Sequence, residues 1–85
     1  MKEFSYVITD REGIHARPAG ILVKEAGKFK SNLTVRKGEK SGDLKRIFAV
    51  MGLAAKQGEE ILITAEGEDE DEAIRAIEEC LKANL

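Results

Sequence analysis

The spacing of apolar residues constrains the fold of this chain more than any other feature of its sequence. In three stretches apolar residues occupy alternate positions, which is the period of a half-buried strand. They are Phe4, Tyr6 and Ile8, then Leu33 and Val35, then Ile61, Ile63 and Ala65. The turn-like segment Lys37–Lys40 predicts a further short strand after the second stretch. The pattern therefore predicts four strands.

Between these strands the apolar spacing changes to three or four residues, the period of a helix. The first helix is predicted to end near Gly27, and a short second helix to run from about Leu44 to Ala55. Asp69 is predicted to cap the last helix, with Glu72 completing a capping box. The predicted buried stripes are Ala19, Leu22, Val23 and Ala26 in the first helix, and Ala73, Ile74, Ile77 and Leu81 in the last. The order βαββαβα indicates an α+β fold with helices on one face of an antiparallel or mixed sheet.

Size and charge restrict the classes of protein that the chain can form. Its 85 residues are enough for a single domain, residues 1–85. With 14 basic and 16 acidic residues the net charge is −2, which argues against broad nucleic-acid binding. Cys80 has no disulfide partner and is predicted to be a packing residue in a reducing compartment. No stretch resembles a signal peptide or a membrane span, so we expect a cytoplasmic protein without membrane insertion.

The segment Gly13-Ile14-His15-Ala16-Arg17-Pro18-Ala19-Gly20 contains the only histidine and the only proline of the chain. Proline is tolerated in the first turn of a helix because the N–H it lacks would be unpaired there. The usual preference puts Pro18 at the first helical position and Arg17 at the cap, since a residue before proline avoids the α region. His15 therefore lies beside the start of the first helix.

The start of a helix and an adjacent imidazole together suggest chemistry with an anion. Unpaired N–H groups of Ala16, Arg17 and nearby residues, together with the helix dipole, favour negative charge at this point. A neutral imidazole is a nucleophile near physiological pH. The dipole disfavours a cation at a helix start, so the Arg17 guanidinium indicates that an anion belongs beside it. The pattern predicts a histidine that accepts a phosphoryl group held by Arg17 and backbone N–H groups.

The motif from Gly13 to Ala19 resembles the active-site signature of the HPr family, the histidine-containing phosphocarriers of the bacterial sugar phosphotransferase system. The similarity extends over nearly the whole chain, including Leu44–Met51 and Thr64–Glu70. It implies an open-faced sandwich, with a four-stranded antiparallel sheet and three helices on one side. It also implies that the first helix starts near Ala16 with His15 at the cap.

The resemblance further implies a function. Nδ1 of His15 would accept a phosphoryl group from phosphorylated Enzyme I and pass it to sugar-specific IIA domains. Such a protein is a monomeric transfer intermediate rather than a self-contained enzyme. The sequence shows no metal site and no nucleotide-binding loop, and no cofactor is expected. The implied partner-docking residues are Ala16, Gly20, Ile21, Lys24, Lys45, Arg46, Ile47, Phe48 and Met51.

The second predicted helix is apolar over more than one stripe, which leaves two interpretations of Phe48 and Met51. They complete the core, or they form an exposed docking patch, for which Met and aromatic residues are suited. The resemblance favours docking. Lys45 and Arg46 would then form a basic rim that steers acidic partners.

Two residues depart from the family pattern. Glu12 stands where a small polar residue is common, and a carboxylate there would repel an incoming phosphoryl group. It would slow phosphoryl acceptance unless it pairs with Arg17 in the resting state. Arg46 stands where many Gram-positive relatives carry a regulatory serine, so we expect no phosphoserine switch at this position.

Two other classes of function share features with this sequence. An HPr-like binding module with little or no phosphotransfer is compatible with Glu12, although the intact His15 and Arg17 argue against it. RNA-recognition domains share the βαββαβ order, but they need stacking aromatic residues in a specific motif and a basic face, which this chain lacks. The acidic run from Glu66 to Glu72 lacks the spacing of a calcium loop.

Overall fold

The computed structural model describes residues 1–85. Four strands and three helices follow each other in the order βαββαβα, as the apolar spacing predicted. The strands are β1 (Lys2–Val7), β2 (Asn32–Lys37), β3 (Lys40–Asp43) and β4 (Glu60–Glu66). The helices are α1 (Ala16–Ala26), α2 (Ile47–Met51) and α3 (Glu70–Asn84). None of the helices is both long enough and apolar enough to cross a membrane.

The strands form one open antiparallel sheet in the order β1-β4-β2-β3. Its register places Phe4 and Val35 on either side of Ile63. Because neighbouring residues in register point to the same face, the apolar residues of three strands lie on one side of the sheet. The expected α+β open-faced sandwich is confirmed.

The core forms where the helices cover this face of the sheet. It contains 18 buried apolar residues. Leu22 of α1, Val50 of α2 and Ile77 of α3 are each buried against it. Of the predicted stripes, Val23 and Ile74 are only half-buried and the other members are buried. The helix end predicted near Gly27 is confirmed, since Gly27 is the C-cap of α1.

The second helix is much shorter than its apolar pattern predicted. It covers Ile47–Met51 rather than Leu44 to Ala55. The backbone N–H of Leu44 donates to the carbonyl of Leu33 at 2.9 Å, so Leu44 extends the strand pairing instead of a helix. Ala54 has φ of 52°, in the left-handed region, so the helix cannot continue through it. Leu44, Leu53 and Ala55 lie in loops, but their side chains are buried in the core. Their spacing in the sequence resembles that of the buried face of a helix.

Asp69 is the N-cap of α3 as predicted, but the capping box with Glu72 is wrong. The Asp69 side chain makes no capping bond within its own helix. It instead accepts hydrogen bonds from the backbone N–H groups of Lys30 and Ser31, both at 2.9 Å, and from the Ser31 hydroxyl. Glu70 takes over at the helix start, where its carboxylate accepts the N–H of Gly67 at 3.2 Å. The Asp69 side chain therefore joins the start of α3 to the loop between α1 and β2 by hydrogen bonds.

These hydrogen bonds give Asp69 a role in stability that depends on pH. The Ser31 hydroxyl, followed by the Lys30 N–H, lowers the pKa of the Asp69 carboxyl below its usual range. A lowered pKa in the folded state stabilises the fold above the ordinary pKa of the group. That contribution is lost as the pH falls through the lowered value.

We expect Asp69→Asn to lower the melting temperature at pH 7, because the amide places N–H donors against N–H donors. The difference from the parent protein should begin to shrink as the pH falls below about 4, the ordinary pKa of an aspartate in the unfolded chain. It should continue to shrink as the pH falls through the lowered pKa of the folded protein. Thermal unfolding from pH 7 to pH 2.5 measures it. Asp71→Asn, in the same helical turn but exposed, is the matched control. A difference that does not change with pH would contradict the role of the Asp69 charge.

Candidate phosphohistidine site

The first helix begins at Ala16, and His15 is its N-cap residue with extended backbone angles. Pro18 is the third helical residue, where its missing N–H costs no helical bond. The first N–H of α1 to reach a helical partner is that of Ala19, which donates to the His15 carbonyl at 3.0 Å. The start at Pro18 with Arg17 as cap is therefore wrong, and the start implied by the family resemblance is confirmed. The N–H groups of Ala16 and Arg17 have no partner in the helix.

A tight backbone contact holds the loop that precedes the helix. Gly13 has φ of 71°, and its N–H donates to the Asp10 carbonyl at 3.0 Å. The next N–H, of Ile14, donates to the Ala55 carbonyl at 2.9 Å. A Cβ on Gly13 would lie 2.3 Å from the Ala55 oxygen. Only glycine fits at this position. The contact with Ala55 holds the loop in place, and the loop places His15 at the surface.

Two carboxylates face the imidazole of His15, whose side chain is 35% exposed. Its Nε2 lies 3.4 Å from Glu12 Oε2 and 4.0 Å from Asp10 Oδ1. The expectation that Glu12 lies beside the histidine is confirmed. The alternative that Glu12 pairs with Arg17 at rest is wrong, because the Glu12 carboxylate lies beside His15 Nε2 and makes no ion pair with Arg17. Two negative charges thus lie beside Nε2.

Arg17 is exposed and forms neither an ion pair nor a side-chain hydrogen bond within the protein. It lines a surface cavity of about 340 Å³ together with His15 and Glu12. The remaining lining residues are Asp10, Pro18, Ile21, Ala83 and Asn84. The cavity brings the two predicted site residues together and leaves the guanidinium free for an anion.

Sequence reasoning missed Asp10 and Asn84 at this cavity. Asp10 lies five positions before the histidine, and the spacing Asp10-x-Glu12-x-x-His15 is a signal that could have found it. Asn84 lies near the other end of the chain from His15, and no sequence pattern indicates that the two residues are close in the fold. Its side chain donates to the Cys80 carbonyl at 2.8 Å at the end of α3.

The predicted docking residues lie on α1, on α2 and on the turn before α2. Phe48 is 85% exposed and Ile21 is 40% exposed, so Phe48 does not complete the core. Met51 and Ile47 are half-buried against the core. A Cβ on Gly20 would lie 3.9 Å from Cδ1 of Ile47, which shows that the two helices are adjacent. Ala16 and Lys24 are exposed on α1.

The basic rim differs from the expectation at one of its two residues. The Lys45 ammonium group donates to the Phe29 carbonyl at 2.8 Å, and the residue is half-buried. The Lys45 ammonium group therefore lies against the protein surface rather than extending into solvent. The side chain of Arg46 is 80% exposed, with Asp43 at 3.9 Å. Arg46 thus supplies the free positive charge of this rim.

Cys80 is half-buried, and burial raises the pKa of its thiol, with a smaller contribution from the Glu25 charge. A raised pKa leaves little thiolate near neutral pH, so the thiol is a poor nucleophile. This agrees with its predicted role as a packing residue.

The fold and the exposed histidine at a helix start together define a small domain that presents one imidazole beside an anion site. A family model described as "PTS HPr component phosphorylation site" matches residues 2–83. The phosphocarrier protein HPr of Mycoplasma capricolum is 53% identical over 81 residues, which cover 95% of this chain and 91% of that protein. The chain belongs to the HPr family of phosphocarriers of the phosphotransferase system.

Solved structures agree with this assignment. A mycoplasma histidine-containing phosphocarrier protein has a TM-score of 0.94 and 51% identity, covering 96% of this chain and 93% of its own. A structure of an HPr dimer from Thermoanaerobacter tengcongensis has a TM-score of 0.78 and 40% identity, covering 98% and 95% of the two chains.

We expect Gly13→Ala to destabilise the protein by more than about 1 kcal/mol, because the new Cβ collides with the Ala55 carbonyl at an unfavourable φ. Gly27→Ala is the matched control, since Gly27 has an ordinary φ of −64° and room for a Cβ. That variant should be as stable as the parent or gain about 0.4–1 kcal/mol. Urea denaturation measures both free energies of unfolding. Equal stability of the two variants would contradict the contact at Gly13.

Proposed function

We propose that this protein is a phosphocarrier that accepts a phosphoryl group on His15 from phosphorylated Enzyme I. It passes the group to sugar-specific IIA domains in phosphoenolpyruvate-dependent sugar uptake. The observation that carries the proposal is His15 at the N-cap of α1, beside two N–H groups without helical partners and a guanidinium without an ion pair. These groups are the donors that an incoming phosphoryl group needs.

The arrangement supports a direct transfer. A proton on Nε2 is stabilised by the neighbouring carboxylates of Glu12 and Asp10, which leaves the lone pair on Nδ1. Nδ1 attacks the phosphorus atom, so one N–P bond forms while the bond to the donor breaks. Negative charge on the phosphoryl oxygens is met by the N–H groups of Ala16 and Arg17 and by the Arg17 guanidinium. No cofactor takes part in this step.

Partner docking is assigned to the surface that α1 and α2 share. Its apolar part is Ile21, Ile47, Phe48 and Met51, flanked by Ala16 and Gly20. Lys24 and Arg46 supply its free positive charge, while Lys45 bonds to the Phe29 carbonyl. An exposed aromatic side chain beside half-buried aliphatic residues is the composition of a binding hot spot. Positive charge at its edge favours acidic partners. We infer that the carrier works as a monomer, because one chain holds the complete site. We infer a cytoplasmic location from its membership of the HPr family.

Phosphohistidine formation is the direct test. Incubation with Enzyme I and phosphoenolpyruvate should give an acid-labile phosphohistidine signal in the ³¹P NMR spectrum. The signal should be absent from His15→Ala. If no signal forms while the same Enzyme I phosphorylates another HPr, the protein is a binding module, which the two carboxylates beside Nε2 would explain.

Glu12→Gln should raise the rate of phosphoryl acceptance about threefold. The amide keeps the size of the side chain but removes its negative charge. Repulsion between two charges several ångströms apart in an exposed site is weak, and its loss changes a rate by about this factor. Stopped-flow measurement at two salt concentrations should show the gain shrinking at high salt. An unchanged or lower rate at low salt would refute the inhibitory role of Glu12.

Phe48→Ala should raise the KM for this protein in the Enzyme I reaction about tenfold, because it removes an exposed aromatic anchor. The free energy of unfolding should change by less than about 0.5 kcal/mol. Val7→Ala is the control, since Val7 is 49% exposed and lies on β1 outside the docking surface. Equal KM values for the two variants would remove Phe48 from the docking surface.

A further inference from the structure

We propose that Asp10, Glu12 and His15 form a binding site for a divalent transition-metal ion of the zinc type. Each of the three residues offers a ligand atom, and these atoms all lie within 4.8 Å of one another. The donor set is one imidazole nitrogen and two carboxylate oxygens, a combination that zinc accepts in sites that keep an open position. The family assignment does not predict such a site.

The distances are close to those that a metal ion imposes. Zinc binds nitrogen and oxygen ligands at about 2.0–2.2 Å, so two ligands of a tetrahedral site lie about 3.4 Å apart. Nε2 of His15 and Oε2 of Glu12 are already 3.4 Å apart. Asp10 Oδ1 is 4.0 Å from the same nitrogen. The Glu12 side chain is 75% exposed and free to adjust, whereas His15 and Asp10 must move closer together when an ion binds.

The backbone holds the ligands in place before any ion arrives. Asp10 Oδ1 accepts the N–H of Glu12 at 2.8 Å, and the Asp10 carbonyl accepts the N–H of Gly13. The N–H groups of Thr9 and Asp10 both donate to the Leu85 carbonyl, at 2.6 and 3.0 Å. The ligand loop is therefore tied both to itself and to the end of the chain. The backbone of this loop is therefore ordered before an ion binds, and the entropy still to be lost is mainly that of the Glu12 side chain.

The charge at this point also favours a cation. Neither Asp10 nor Glu12 forms an ion pair with a lysine or an arginine, although Arg11 lies between them in sequence and Arg17 lines the same cavity. The two carboxylates beside the imidazole have no lysine or arginine within ion-pair distance. The cavity has room for water molecules that would complete the coordination shell.

Metal binding has a consequence that rests on the proposed phosphocarrier function. An ion on Nε2 withdraws electron density from the ring and makes Nδ1 a weaker nucleophile. It also occupies the carboxylate side of the cavity that a donor protein must approach. Free zinc would therefore slow phosphoryl acceptance reversibly, and a chelator would restore it.

A zinc titration of the intact protein followed by ¹H NMR tests the site itself. His15 is the only histidine, so the ring signals report on it without ambiguity. They should shift or broaden with saturation at one equivalent. Asp10→Asn keeps the acceptor for the Glu12 N–H, and Glu12→Gln keeps the side-chain length. Each substitution should weaken the affinity for zinc by more than about tenfold. Loss of a residue that only hydrogen-bonds to a metal ligand already lowers metal affinity by about that factor, and these substitutions remove a ligand itself.

Two controls make the result specific. Glu72→Gln removes an exposed carboxylate on α3 and should leave zinc affinity unchanged. Cys80→Ala should also leave it unchanged, which excludes the thiol as the ligand. Equal affinity of the parent, Asp10→Asn and Glu12→Gln would overturn the proposal, because binding would then belong to the imidazole alone. So would saturation without any change in the His15 signals.

The binding test does not depend on phosphotransfer. If zinc binds as expected but no phosphohistidine forms in metal-free protein, the metal site stands and the proposed function fails. If phosphohistidine forms and zinc does not bind at His15, the function stands and the metal site fails. If both hold, added zinc should lower the phosphorylation rate of the parent more than that of Glu12→Gln.

Discussion

Burial of one face of β4 is the constraint on which the rest of the structure depends. Ile61, Ile63 and Ala65 are fully buried, and the strand lies between β1 and β2. Apolar side chains at alternate positions can be removed from water only if a second layer covers that face. All three helices therefore lie on the same side. Every connection between a strand and a helix then emerges at an end of the sheet.

The histidine site is built at one of these ends, between β1 and α1. Two contacts determine its shape: the positive φ of Gly13 and the hydrogen bond from Ile14 to Ala55. They bring His15 to the N-cap, where the helix offers unpaired N–H groups. The same loop carries Asp10 and Glu12 to the other side of the imidazole. The ring therefore lies between a region that favours anions and a region that favours cations, which is why phosphoryl transfer and metal binding are both assigned to it.

The failures of sequence reasoning have a common cause in contacts between distant segments. The apolar run around α2 predicts one long helix because Leu44 and Leu53 occur at helical spacing, but both residues lie in loops and are buried from there. Asp69 has the sequence pattern of a capping box, but Ser31 and Lys30 supply better donors from another element. Local sequence patterns indicate which residues can be buried or can cap a helix. They do not indicate which packing or hydrogen-bond partner each residue has in the folded chain.

The order of elements, the buried faces of β1, β2 and β4, and the presence of His15 and Arg17 together at a helix start could all be predicted from local patterns. These properties follow from periodicity and local backbone chemistry, which act over a few residues. In contrast, the exposure of Phe48, the bond from Lys45 to Phe29 and the position of Asn84 in the histidine cavity became known only from the folded structure. Each of these features depends on how separate helices, strands and loops pack together. Packing brings together residues that are far apart in the sequence, and local sequence patterns do not show such contacts.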